Sequence, residues 1–158
     1  MSAHVLEREQ LVPRGIAEVF AFFALARNLE VLTPPWLRFE VLTPEPVRMR
    51  AGTLIDYRLR LHGLPLRWES LIEEWEPGRR FVDTQVRGPF RTWRHTHEFH
   101  LHPEGTLVRD HVRFEIPLGP LGELARTAFV QRDLGRIFDY RREAVARRLP
   151  AVRNAQAA

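Results

Sequence analysis

Residues 78–117 read GRRFVDTQVRGPFRTWRHTHEFHLHPEGTLVRDHVRFEIP. Three runs of alternating residues, separated by Gly88-Pro89-Phe90 and Glu104-Gly105, predict three antiparallel strands. Alternation places Phe81, Asp83 and Gln85 on one face with Trp93, His95, His97, Phe99 and Leu101. Val108, Asp110, Val112, Phe114 and Ile116 continue that face on the third strand. The opposite face is mainly Arg, Glu, Thr and His. A slip of one residue would bury that charged set, so the register is strongly specified. The covered face is largely apolar but holds a cluster of polar groups, which a dry core avoids.

Residues 53–76 add two strands of the same parity. They contribute Ile55, Tyr57, Leu59 and Leu61, then Leu66, Trp68, Ser70 and Ile72, with turns expected at Gly63-Leu64 and at Glu76 to Arg79. Further out, residues 4–12 alternate as a first strand that Pro13 ends. Ile16, Val19, Phe20 and Phe23 recur at helical spacing within 16–25, and a second short helix is expected over 28–32. Thr33-Pro34-Pro35 stops it. Residues 36–43 read as a second strand, broken by Pro44 and Pro46. Gly119-Pro120 introduces a long helix over 120–149. Its stripe runs through Leu121, Leu124, Ala128, Phe129, Leu134, Ile137, Phe138, Val145 and Leu149. Arg141, Arg142, Arg147 and Arg148 lie towards its end, where cations suit the helix dipole. The order strand, two helices, six strands, long helix predicts an α+β domain over residues 1–150. A seven-stranded curved antiparallel sheet would wrap the C-terminal helix, and residues 151–158 are expected to be disordered.

The chain has 158 residues and no cysteine, which excludes a disulfide framework, a thiolate nucleophile and cysteine-ligated zinc. It has no apolar run of about 18 residues and no signal-peptide pattern, so a soluble cytoplasmic protein is expected. All 24 basic residues are arginine, which reads as codon bias. The net charge is only +4, and the arginines lack interleaved exposed aromatics, so no nucleic-acid partner is expected. Stable membrane insertion is not expected either. Leu71, Trp75, Val82 and Val86 on the outer face permit a homodimer without requiring one.

The element order, with the run GPFRTWRHTHEF (88–99), the run GTLVRDHVRFEIPLG (105–119) and IFDYRR (137–142), resembles the START-like, Bet v 1-type helix-grip superfamily. The resemblance spans about residues 4–149. It is nearest the bacterial ligand-binding subgroup related to polyketide cyclase/dehydrase and coenzyme Q-binding proteins. It implies a deep hydrophobic cavity between sheet and long helix, for a lipid, quinone or polyketide-like molecule. Some members catalyse cyclisation or dehydration, and no catalytic signature is common to all, so fold does not deliver function.

The expected ligand contacts are Tyr57, Leu59, Trp68, Ser70, Ile72, Phe81, Asp83, Gln85, Trp93, His95, His97, Phe99, Asp110, Val112, Phe114, Phe129 and Phe138. Ile137 and Tyr140 are further candidates to line or gate the cavity. A three-residue turn at Gly88-Pro89-Phe90 sets Asp83 opposite His95; a two-residue turn would bring Val82 and Thr84 inside instead. A two-residue turn at Glu104-Gly105 sets Phe99 opposite Asp110 and His97 opposite Val112, with Asp110 diagonal to His97 and Leu101. A carboxylate beside an imidazole raises its pKa and fixes its tautomer. Such pairs orient a ligand or simply anchor the sheet. In an enzyme, His95 or His97 would be a general base, oriented by Asp83 or Asp110. His95, His97 and Asp110 also have the residue types of a metal site. Without a third imidazole no metal is expected, and no cofactor is called for.

Overall fold

The structure, a computed structural model, describes residues 3–117 and 123–152, and of residues 123–127 the backbone only. Gly119-Pro120 and Leu121, the Leu124 side chain and the tail beyond 152 therefore lie outside the described residues.

The elements are β1 (His4–Val12), α1 (Ile16–Ala24), α2 (Asn28–Leu32), a single 3-10 turn (Pro35–Leu37) and β2 (Glu40–Val41). Then follow β3 (Leu54–Leu61), β4 (Leu64–Glu76), β5 (Arg80–Arg87), β6 (Thr92–His102), β7 (Gly105–Glu115) and α3 (Glu123–Arg148). The sheet has the order β1-β7-β6-β5-β4-β3-β2, antiparallel throughout. This is the helix-grip arrangement.

The strand expected over 36–43 is only two residues long. Pro35 starts a tight turn instead, which Arg38 closes with a left-handed φ of 44°. Its amide bonds to the Pro35 carbonyl, so the chain reaches the sheet edge only at Glu40. The β3–β4 turn is His62-Gly63, between the pair Leu61 and Leu64, and both turn residues have positive φ. That is what a two-residue hairpin compatible with sheet twist demands. The β6–β7 turn is Pro103-Glu104, between His102 and Gly105. Both turns sit one residue earlier than expected. Moving a turn centre by one residue moves each partner by two, so the faces survive while the partners change. Phe99 accordingly faces Val108, and Asp110 lies directly opposite His97 rather than Phe99.

Between β4 and β5 the register passes from Ile72 opposite Asp83 to Glu74 opposite Val82, leaving Glu73 as an extra residue. This bulge turns Trp75 inward, against Phe20 and Phe81, although simple alternation places it outside. On the outer face, Val82 lies between Glu74 and Thr96 and is fully buried there. Arg94 donates to Glu73, Glu74 and Thr96, and Arg80 binds Glu74 and Glu76, so long charged side chains cover it. Leu101, expected inside, is 81 % exposed near the hairpin tip.

The covered face packs as clusters. Val19, Phe20, Phe23 and Leu32 of the short helices meet Phe81, Phe99, Val108, Val145 and Leu149. Val112 and Phe114 meet Leu134 and Phe138 of α3. Ile55 and Ile72 meet Ala26, just before α2. Burying each large apolar side chain contributes about 1.5–3 kcal/mol. Trp75 packs against both the first and the third cluster, and the cavity is bounded by residues of all three.

Candidate functional site

The cavity has a volume of about 520 Å³ and is bounded by the sheet, the short helices and α3. From the sheet, Tyr57, Leu59, Trp68, Ser70, Ile72, Phe81, Asp83, Trp93, His95 and His97 line it, and α3 adds Phe129 and Phe138. Gln85, Phe99, Asp110, Val112 and Phe114, expected with them, are not in its wall. Gln85 instead ties the β5–β6 loop: its Nε2 donates to the Phe90 carbonyl at 2.7 Å, and the Phe90 amide donates to its Oε1 at 3.2 Å. Phe99 is sealed edge-on between Phe20 and Phe23. Val112 and Phe114 are packed beneath Leu134 and Phe138. Ile137 lines the cavity, but Tyr140 packs edge-on against Trp36.

One end of the cavity is a buried charged cluster. Asp83 pairs across the strands with His95, and His97 with both Phe81 and Asp110. The two imidazoles stack with centroids 3.7 Å apart, and Phe81 stacks on the far side of His97 at 4.1 Å. Each ring reaches towards the same two carboxylates. His97 Nε2 donates to Asp83 Oδ2 at 2.7 Å, and its Nδ1 is 3.3 Å from Asp110 Oδ1. His95 Nε2 donates to Asp110 Oδ1 at 2.8 Å, which leaves its Nδ1 as a lone pair 3.9 Å from Asp83 Oδ2. Asp110 thus stands behind the rings and fixes the tautomer of His95.

Arg141 completes the cluster. Its Nη2 is 3.6 Å from Asp110 Oδ1 and 3.3 Å from His97 Nδ1, and its guanidinium lies over the rings of Phe23 and Phe138. With His97 doubly protonated, the carboxylate accepts from both groups; a neutral His97 would itself accept from Arg141. Charge alone groups Arg141 with the surface arginines of the helix end. Its position gives it away: Leu134, Phe138 and Val145 are buried at helical spacing, and 141 falls on the same stripe.

The environment drives the two histidines apart. Burial, joined by the charge of His97, lowers the His95 pKa to about 4, against the pull of Asp110. Burial also opposes a charge on His97, but hydrogen bonds to Asp110 and Asp83 outweigh it and raise its pKa. Burial disfavours the Asp83 anion, yet the His97 bond and the nearby cations hold its pKa low. Asp110 is likewise held well below the usual range, chiefly by Arg141, despite its burial. With His97 protonated, two carboxylates, one guanidinium and one imidazolium sum to zero, which is how charges survive in an apolar interior.

Asp83, His95 and His97 each offer a donor atom within 4.8 Å of the others, enough in number for a divalent cation. The geometry is poor for one. The donors are already engaged: His97 Nε2 bonds Asp83, and a guanidinium stands against its Nδ1. The cluster suits protons better than a metal.

Beside it lies a neutral polar group. Trp68 Nε1 donates to Ser70 Oγ at 3.1 Å, and Tyr57 Oη is 2.8 Å from the same oxygen. Burial, with the charge of Asp83, pushes the Tyr57 pKa well up, so its hydroxyl stays protonated. At another part of the wall, His62 of the β3–β4 turn bonds Asp133 of α3 at 2.7 Å and packs on Phe129. Sequence reasoning misses His62 and Asp133, because no local pattern joins residues 71 positions apart.

The structural comparisons share this architecture. The Zhui aromatase/cyclase from Streptomyces sp. R1128 superposes with a TM-score of 0.69 at 14 % identity, covering 99 % of this chain and 100 % of that one. The protein TTHA0849 from Thermus thermophilus gives 0.65 at 23 % identity, covering 92 % and 99 %. Ara h 8.0201 gives 0.63 at 16 % identity, again covering 92 % and 99 %. At these identities the likeness shows the fold alone. No curated protein matches the chain. The sequence pattern of one family matches residues 12–139, most of the domain, and on that match the chain belongs to the polyketide cyclase/dehydrase and lipid transport family.

Proposed function

We propose that the protein binds a medium-sized hydrophobic molecule, of lipid, quinone or polyketide type, with its polar end against Asp83 and His95. The observation that carries this reading is the cavity of about 520 Å³, apolar over most of its wall and closed at one end by a charge-balanced cluster. Convergent polar groups in an apolar pocket are the usual form of a small-molecule site. The name of one fold neighbour, an aromatase/cyclase, agrees with a cavity that receives organic molecules. No helix among the described residues is long and apolar enough to cross a membrane, and the reading takes the protein to work in the cytoplasm. The test is mass spectrometry of the purified protein under native and then denaturing conditions, with the released extract analysed. A hydrophobic compound carried by the folded protein is expected. A native mass equal to the bare chain would move weight to the second reading.

That reading is a cyclase or dehydratase, and the tautomer of His95 favours it. Asp110 accepts a hydrogen bond from Nε2–H and leaves Nδ1 free to accept a proton from a carbonyl substrate's α-carbon. His97, held between Asp83 and Asp110, is a poor candidate for the base. Against catalysis, a base with a pKa of about 4 is weak near neutral pH. Turnover of a carbonyl substrate lost in His95→Gln, with an acid limb in its pH profile near pH 4, would establish this reading. Turnover indifferent to that variant would end it.

A further inference from the structure

The ligand's polar end can be specified further, resting on the binding reading above. Two unused hydrogen-bonding groups face the cavity. The first follows from counting protons. Trp68 Nε1, Tyr57 Oη and Ser70 Oγ carry three, and the two bonds that join them consume two. Whichever way the Tyr57–Ser70 bond runs, one hydroxyl hydrogen remains for an outside acceptor. Both residues line the cavity. The second is Asp83. Its Oδ2 accepts from His97, while Oδ1 has no protein donor among the described residues. The side chain keeps 18 % of its surface open and lines the cavity. A carboxylate oxygen open to the cavity and without a protein donor is free to accept from a ligand.

Arg141 also lines the cavity, with its Nη2 engaged by Asp110 and His97. His97 gives its Nε2–H to Asp83, and its Nδ1 lies 3.3 Å from both Asp110 Oδ1 and Arg141 Nη2. Arg141 Nε is sealed from the cavity as well as from solvent and has no partner. An incoming carboxylate would add a third anion, beside Asp83 and at low dielectric, to a cluster whose two carboxylates already engage its cations.

The geometry points to a ligand whose polar end is an uncharged hydroxyl, alcohol or phenol, that donates to Asp83 and takes a hydrogen bond from the Tyr57–Ser70 pair, and to exclusion of a carboxylate on the same skeleton. Charge selection by one wall residue is the device: the apolar remainder of the cavity treats the two molecules alike.

The test titrates the protein at neutral pH with p-hydroxybiphenyl and with p-phenylbenzoate, by calorimetry. These share one ring system, so apolar burial is matched. The phenol should bind about tenfold or more tighter, the scale of one hydrogen bond to a charged group. Asp83→Asn should narrow the gap by admitting the carboxylate. Tyr57→Phe with Ser70→Ala, which removes both hydroxyls, should weaken the phenol and leave the carboxylate unchanged. A carboxylate that binds the wild type as tightly as the phenol would overturn the selection rule and leave the binding role standing. A phenol preference that survives in both variants would overturn it too, since the preference would then arise elsewhere. Failure of both compounds to bind would overturn the rule together with the binding reading.

Discussion

His95 and His97 sit two residues apart on one strand and titrate in opposite directions. His95, neutral when folded, has a pKa of about 4, below its unfolded value near 6.5. Its contribution is complete above 6.5 and is lost as pH falls towards 4, a loss of about 3 kcal/mol. His97 has a raised pKa, so its contribution is complete below 6.5 and is lost as pH rises through the folded value. Asp83 and Asp110 stay ionised across that window. Stability should therefore peak near pH 6.5, and urea unfolding across pH should show His95→Gln flattening the acid limb and His97→Gln the alkaline one. A second pair of substitutions separates wall from core. Trp93→Ala should weaken ligand binding more than it lowers stability, as should His95→Ala. Phe99→Ala, outside the wall, should cost about 3–5 kcal/mol of stability and leave affinity unchanged. At this scale alternation made the polar cluster legible, and Asp83 lies opposite His95 as expected, although the connection runs over 88–91 rather than as a three-residue turn. The role of Arg141 was hidden because a charged residue on a helix is assigned to water by default, although its spacing said otherwise.

The elements depend on a few places where regular geometry is broken. Gly105, with φ of 143°, starts β7 where a side chain would place its Cβ 2.1 Å from the Val12 carbonyl oxygen. Its glycine is needed for the close passage of Val12–Arg14, where the chain leaves β1, not for the centre of the turn, and that is why a glycine-centred reading sets the turn one residue late. Gly105→Ala should cost about 1–3 kcal/mol or more, read as a lower urea midpoint with unchanged m-value. The faces of β3 to β7 were legible because their errors were even-numbered in register. Trp75 was not, because an inserted residue such as Glu73 has no signature in an alternating charged run. The length of β2 was misjudged because two prolines that stop one helix also begin a new turn.

At the scale of the molecule, the hairpin tip and α3 are clasped at the cavity wall by His62, Asp133 and Phe129. His62 is half exposed, so its hydrogen bond to Asp133 adds little to global stability. Its effect should appear in exchange instead: His62→Ala or Asp133→Asn should speed ligand release, followed by stopped flow, while the thermal midpoint moves little. The clasp joins elements far apart in sequence and exists only once the sheet has curved onto the helix, so no reading of the chain could find it. The same curvature sets Trp68 against Trp93 at 5.3 Å with their planes perpendicular, both in the cavity wall. Of the four tryptophans, Trp75 is in the core and Trp36 is exposed beside α3. The protein thus carries its own optical gauge of occupancy: with Trp36 and Trp75 replaced by Phe, ultraviolet emission and near-ultraviolet dichroism would come from the two rings that a guest must touch.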